Sequence, residues 1–294
     1  MTIKTPPERL IKYYRCDNHS YDALKNNYLW AAYPLQFNDP FDCSERFWDL
    51  NSFSYELLIE KLPEFHDLFS TEQNNFQRRR QFIEIFSPGI ICLNNQSNNN
   101  EDILWGYYSN QEGFCIEFDT RELIKSYGIL PVKVNYVDDP TQIRKCNLSN
   151  PEGNVRDWIT IKKRIWENEE EWRFMFNSAD CNRYHPIYKQ GDKIHRQKNY
   201  NSHAIERITL GYRFFAEQVN DHRLRHLTEN SDEYVYSSKD NLCKLDILSY
   251  AFEKGIELYH IDLTEDFKLI KRKIEIKELK SNKLSIYYTG IVDE

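Results

Sequence analysis

The chain has 294 residues, a formal net charge of −7 and a pI near 5.7, so no bulk attraction to nucleic acid or to an anionic membrane is encoded, although a local basic groove stays open. Hydrophobic residues make up 40% and aromatic residues 15%, which excludes a disordered chain and predicts a globular one. The seven cysteines are odd in number and never in a CxxC spacing, a pattern of free thiols in a reducing compartment rather than of a disulfide framework or zinc site.

No apolar run approaches ~18 residues and Met1–Leu10 carries no hydrophobic leader, so a cytoplasmic protein without a membrane partner is expected. With no repeat and no linker visible, residues 1–294 read as a single domain. Strands and helices are mixed, and the expected class is α+β: a largely antiparallel central sheet with peripheral helices.

Leu10–Arg15 reads as a first strand, and Ser20–Asn26 as a short helix with Ser20 as its N-cap. After the extended piece Tyr28–Ala32 comes Phe37-Asn38-Asp39-Pro40-Phe41-Asp42, where Asn, Asp and Pro signal a turn that two phenylalanines anchor. Asp39, Asp42 and Glu45 are either turn caps and solvated acids or candidate metal ligands. Residues 52–86 carry apolar positions at helical spacing, with Arg78–Arg80 on a wet face.

Pro88–Leu93 is a buried-type strand, Ile103–Ser109 a helical segment and Gly113–Asp119 another strand. Asp119-x-x-Glu122 makes a capping box for a helix that Gly128 stops. Leu130–Val137 is strand-like, Pro140–Asp157 a polar connection and Trp158–Trp166 a helix. Ile205–Tyr212 reads as strand and Phe215–Leu227 as helix. Leu242–Lys254 is an amphipathic helix ended by Gly255, before the strand Ile256–Ile261; Lys271–Val292 makes a last hairpin.

Lys162 to Phe176 concentrates the chemistry: a basic start, two tryptophans and four glutamates. As a strand it places Trp166, Glu170, Trp172, Phe174 and Phe176 on a core face, and Glu167, Glu169, Glu171 and Arg173 on a face toward a cleft. As a surface helix it would only be a charged, solvated stripe. GxGxxG, the P-loop, HExxH, GxSxG and the EF-hand loop are all missing. His222 and His226 form a helical i, i+4 pair without a glutamate beside them.

Four segments together resemble a known family: Lys12-Tyr13-Tyr14-Arg15, Phe37–Asp42, Leu104-Trp105-Gly106-Tyr107-Tyr108 with Gly113–Phe118, and Trp166-x-x-Glu169-x-Glu171-Trp172-Arg173. It is the bacterial family catalogued as domain of unknown function 2971, and the resemblance covers roughly residues 10–215, leaving 216–294 as a C-terminal α/β extension. Gly106-Tyr107 departs from the pattern, where a bulkier residue and then His are expected.

A more distant, fold-level likeness is to ADP-ribosyltransferases. It implies an ADP-ribosyltransferase-like core with NAD as substrate. Glu171 would hold the ribose hydroxyl and stabilise an oxocarbenium-like centre, as a carboxylate does in glycoside hydrolysis. Glu169 would orient or deprotonate the acceptor, and Arg15 would pair with the phosphates. Tyr13, Asn38, Asp39, Trp105 and Tyr108 complete the expected NAD contacts, with Tyr13, Trp105 or Tyr108 stacking on nicotinamide; no metal is assigned. The acceptor would be a protein or nucleic acid, as for a bacterial toxin or phage-defence effector with its partner proteins. Two rivals stay open. One is a metal-dependent nuclease gathering Asp39, Asp42, Glu169 and Glu171 with Lys162 or Lys163. The other is a non-catalytic sensor or partner-binding module.

Overall fold

The computed structural model describes residues 5–44, 47, 60, 63, 77, 87–95, 101–139, 151–181, 196–215, 232–235, 242–280 and 283–292. In chain order come β1 (Arg9–Tyr14), α1 (Asn18–Lys25), β2 (Tyr28–Trp30), β3 (Gly89–Asn95), α2 (Glu101–Ser109), β4 (Phe114–Asp119), α3 (Thr120–Tyr127), β5 (Val132–Lys133) and β6 (Asn135–Val137). Then follow α4 (Pro151–Thr160), β7 (Ile161–Lys163), β8 (Glu171–Phe176), α5 (Ser178–Cys181), β9 (Gln197–Asn199), β10 (Ile205–Leu210), β11 (Asp232–Val235), α6 (Leu242–Lys254), β12 (Glu257–Leu263), β13 (Leu269–Lys280) and β14 (Lys283–Val292). The class is α+β, with a large, mostly antiparallel sheet and several helices.

The chain divides into two compact units, each built from separated segments. The first takes Met1–Pro6, Leu29–Cys92 and Ile129–Lys198; the second takes Pro7–Tyr28, Leu93–Gly128 and Asn199–Glu294.

In the second unit the strands run side by side in the order β11-β14-β13-β12-β10-β4-β1, and then the end of β3. β4 is central because its sequence, FCIEFD, is apolar on both faces, and its residues are buried from Phe114 to Phe118. Asp119 ends that strand and caps α3, its Oδ1 accepting from the N–H groups of Arg121 (2.7 Å) and Glu122 (3.2 Å). Gly128 closes the helix at φ 68°. α6 stops at Gly255 (φ 66°) and leads into β12, which lies parallel to β10. β12, β13 and β14 then form an antiparallel meander. At the other end of the chain α1 begins earlier than expected. Its cap is Asp17, whose carboxylate accepts from the Ser20 N–H at 2.8 Å, and not Ser20 itself.

In the first unit β3, β8 and β5 are neighbours, and β6 pairs with β7 in parallel. The continuous strand expected over 130–137 is split at Val134, where the chain changes partner from β8 to β7. The helix expected over 158–166 instead spans Pro151–Thr160, with Pro151 suited to its opening position, and takes in the last part of what read as a connection. The helices expected within 52–86 and 215–227, with Arg78–Arg80 and the His222/His226 pair, fall almost wholly outside the described residues.

His260 on β12 is buried in the second unit. A hydrogen on Nε2 faces the Tyr212 carbonyl at 3.3 Å, leaving Nδ1 to accept from the Tyr288 hydroxyl at 2.8 Å, so the neutral ring satisfies both contacts. Burial, first of all, lowers its pKa to about 4, against the pull of Asp262. The folded state therefore resists protonation that the unfolded chain accepts. Stability is full above pH ~6.5 and falls as pH drops toward 4, by on the order of 3 kcal/mol from this group. His260→Gln is expected to flatten that stretch of the curve of unfolding free energy against pH, measured with denaturant.

Two glycines near α2 give a second prediction. A Cβ on Gly113 would stand 1.9 Å from the Tyr14 carbonyl oxygen, whereas one on Gly106 would meet nothing within 4 Å. Gly113→Ala is expected to destabilise by more than about 2 kcal/mol, and Gly106→Ala to stabilise by roughly 0.5–1 kcal/mol, both read from denaturant midpoints.

Candidate functional site

Glu169 and Glu171 reach one cation by two different local geometries. Arg164–Glu169 forms a 3-10 turn, not the strand expected from Trp166 onward. Side chains three apart eclipse in such a turn, so Trp166 and Glu169 share one side while Arg164 and Glu167 share another. Lys162 marks the first side: its Nζ lies 5.3 Å from the Trp166 ring centroid and 2.5 Å from Glu169 Oε2. The second side is exposed and holds the Arg164–Glu167 pair at 3.2 Å. Glu170 ends the turn in the left-handed region (φ 43°), and β8 begins.

From Glu171 the expected alternation holds. Glu171 and Arg173 point one way, Trp172 and Phe174 the other. All four are buried, so the acidic face does not line an open cleft as expected but closes into an ion network. Arg173, at 0% exposure, spends its whole fork there. Nε and Nη2 donate to the two Glu171 oxygens at 2.7 and 3.0 Å, and Nη1 and Nη2 to the two Asp42 oxygens at 2.9 and 2.6 Å. Nη1 also donates to the Ile159 carbonyl at 2.6 Å, at the end of α4. Lys162 donates to Glu171 Oε2 at 3.0 Å and stands 3.6 Å from Asp42.

Burial alone would raise the Glu171 pKa, but the charges of Arg173 and Lys162 and the Arg173 hydrogen bonds more than reverse this, holding it far below the usual carboxylate range. Burial would likewise strip the Arg173 proton, and the carboxylate charges of Glu171 and Asp42 keep it firmly bound. Cys43, at φ 52°, is pushed up by burial and by Asp42, so its thiol stays protonated.

Asn38 is exposed, and Asp39 turns its Oδ1 to the Phe41 N–H at 3.0 Å. Asp42, from the same loop, is the acid that joins the network; among three nearby acids no local signal selects it. Tyr13, Trp105 and Tyr108 do come together, in the second unit: Tyr13 meets Trp105 edge-on at 5.1 Å and Tyr108 in a stack at 6.4 Å. Arg15 belongs to that unit also and is exposed. The second unit carries a buried pair that the sequence reading missed, Glu117 and Arg207 at 2.7 Å. The signal was available: a lone charge inside the apolar run Phe114–Phe118 requires a partner.

Among the described residues no group of three or more His, Cys, Asp or Glu is placed to hold a metal ion; Asp42, Glu169 and Glu171 surround Lys162 instead. Nor is any described helix long and apolar enough to cross a membrane.

Residues 104–174 match the family described as "Protein of unknown function (DUF2971)". The resemblance to that family holds over this span. It runs from α2 through Phe174 and so takes in Trp105, Tyr108, Lys162, Glu169, Glu171 and Arg173, but neither Asp42 nor Arg15. No curated protein matches the chain, and no solved structure does.

Removing one partner from a buried network strands the others. Arg173→Met is expected to cost about 3–5 kcal/mol, while Arg164→Met, at the exposed pair, leaves the denaturant midpoint unchanged.

Proposed function

We propose that this chain is an ADP-ribosyltransferase-like enzyme that attacks the nicotinamide–ribose bond of NAD and passes ADP-ribose to a macromolecular acceptor, protein or nucleic acid. The observation that carries this reading is the meeting of Glu169 and Glu171 on one ammonium at 2.5 and 3.0 Å. Those two distances hold the Oε2 atoms within roughly 5.5 Å of each other, the close spacing at which glycoside-cleaving carboxylates act on the sugar directly rather than across a water.

In this reading positive charge grows on the ribose as the bond to nicotinamide breaks. Glu171, kept ionised by Arg173, takes a ribose hydroxyl and offsets that charge. Its contact with Lys162 is the one that yields, because Arg173 grips both of its oxygens. Glu169 then orients or deprotonates the acceptor. An ADP-ribosyltransferase-like core, and service as a bacterial toxin or phage-defence effector, belong to the same reading.

A second reading is favoured by the closure of the network: Asp42, Lys162, Glu169, Glu171 and Arg173 are all buried. There the charges are a fold-holding cluster in a non-catalytic binding module.

One experiment separates them. Purified protein is incubated with NAD and cell lysate, and free nicotinamide and ADP-ribosylated products are measured. The enzyme reading expects both, with turnover reduced on the order of 10²-fold or more in Glu171→Gln that is shown to be folded by circular dichroism. Intact NAD and no adduct across the lysate leave the binding module as the reading.

A further inference from the structure

Two cysteines of the second unit meet where α1 begins beside α6. Cys16 lies between β1 and α1, and Cys243 is the second residue of α6. The Cys243 thiol donates to the Asp17 carbonyl, one residue beyond Cys16, at 3.1 Å. The Cys16 thiol donates to the Glu112 carbonyl at 3.5 Å. The two helices run side by side in the same direction. The Asp17 cap of α1 meets the start of α6, and past the other end of α1 the Asn27 side-chain oxygen accepts from the Tyr250 hydroxyl at 3.0 Å. The approach of Cys243 to Cys16 is thus held by a helix pair tied at both ends.

Exposure sets this pair apart. Cys43, Cys115 and Cys181 are buried, whereas Cys16 and Cys243 are both partly exposed and within reach of a small reagent. Cys92, the other partly exposed thiol among the described residues, belongs to the first unit. A thiol is a weak donor, so little is lost when either sulfur turns away from its carbonyl. Cys16 sits in a tight turn, with the Asp17 N–H donating to the Arg15 carbonyl at 3.1 Å. Because it lies outside both β1 and α1, adjusting this turn to the geometry of a disulfide disturbs neither element.

Charge around the sulfurs sets the order of reaction. Burial, first of all, raises both thiols, Cys16 to about 12 and Cys243 to about 11. Cys243, Asp17 and Glu112 add to the rise at Cys16, and Asp17 and Asp246 to that at Cys243, while the Lys244 ammonium pulls both down. Both are protonated at neutral pH, and Cys243 yields the first thiolate as pH rises.

We propose that Cys16 and Cys243 are a redox modification site, a reversible disulfide that clamps α1 to α6 and forms by exchange with a small disulfide of the glutathione class. The Cys243 thiolate attacks one sulfur of oxidised glutathione, forming a mixed disulfide and expelling one glutathione thiolate. Cys16, losing its proton, then attacks the Cys243 sulfur and expels the second. Two protein thiols are oxidised, one small disulfide is reduced to two thiols, and the two protons that the cysteines lose pass to the glutathione leaving groups. This site does not depend on the glycosyl-transfer reading, whose carboxylates belong to the first unit, so either can fail alone.

The test is disulfide mapping of the full chain. Reduced protein, freed of reductant, is incubated with excess oxidised glutathione between pH ~7 and ~9, alkylated with N-ethylmaleimide, digested and analysed by mass spectrometry. The expected product joins the peptides of Cys16 and Cys243, two hydrogens lighter than their sum, and dithiothreitol removes it. It is expected to form on the order of tenfold faster for each unit of pH, following the thiolate fraction. Cys16→Ser is expected to stop at a glutathione adduct on Cys243. Complete alkylation of both thiols after prolonged incubation at the highest pH overturns the proposal. So does glutathione retained on both sulfurs, or Cys16 joined to a different cysteine in the folded chain. Mapping of the unsubstituted chain decides by itself where Cys16→Ser does not fold.

Discussion

A guanidinium at 0% exposure is tolerable only if every N–H finds an acceptor, and Arg173 meets this demand by drawing two distant segments onto its own strand. Asp42 comes from the loop after Asn38-Asp39-Pro40, Ile159 from the last turn of α4, and Glu171 from the same strand two residues back. The positions of the loop, the helix end and the strand are therefore one problem with one solution. Such a cluster need not outdo an apolar core of equal volume in stability, since desolvation offsets much of its Coulombic gain. Its effect is on specificity. Any shift of the loop or of the helix end would leave a charge stranded.

The same constraint explains how the glutamate pair was legible and why the reason given for it was not. Alternation along a strand predicts that Glu169 and Glu171 share a face. They do meet, but Glu169 arrives through a 3-10 turn whose three-residue repeat aligns it with Trp166 over Lys162. The same repeat sends Glu167 outward to Arg164, against the strand reading. A period of two and a period of three agree on one glutamate and disagree on the other. Elements with a strong local signal were plain from the residues: the Asp119 cap and Gly128 stop of α3, the Gly255 end of α6, and the closing hairpin. Asp42 was not, because Asp39 and Asp42 are equivalent acids until a tertiary partner chooses between them. The two units were hidden for a related reason. Each is assembled from segments far apart in the chain, so no shift in composition marks a boundary.

In the second unit the corresponding problem is Glu117, at the centre of the most apolar strand, and the backbone solves it. β10 runs antiparallel to β4 with Ile205 opposite Phe118. In an unbroken ladder Glu206 would come next, facing Glu117 across a buried pair, and two carboxylates in low dielectric would repel. Instead the register shifts between Ile205 and Arg207, so that Arg207 stands opposite Glu117. One extra residue reverses which side chains share a face from that point on. Arg207 turns inward to the buried acid at 2.7 Å, and Glu206 turns to the surface to pair with Arg9. From Arg207 the ladder continues evenly through Thr209 opposite Cys115, which places Thr209 in the row with Tyr13 under Trp105. A single bulge thus settles both the neutrality of the buried pair and the lining of the face beside it. It is a feature of pairing geometry, and nothing in the residues Ile205-Glu206-Arg207 announces it before β4 is in place.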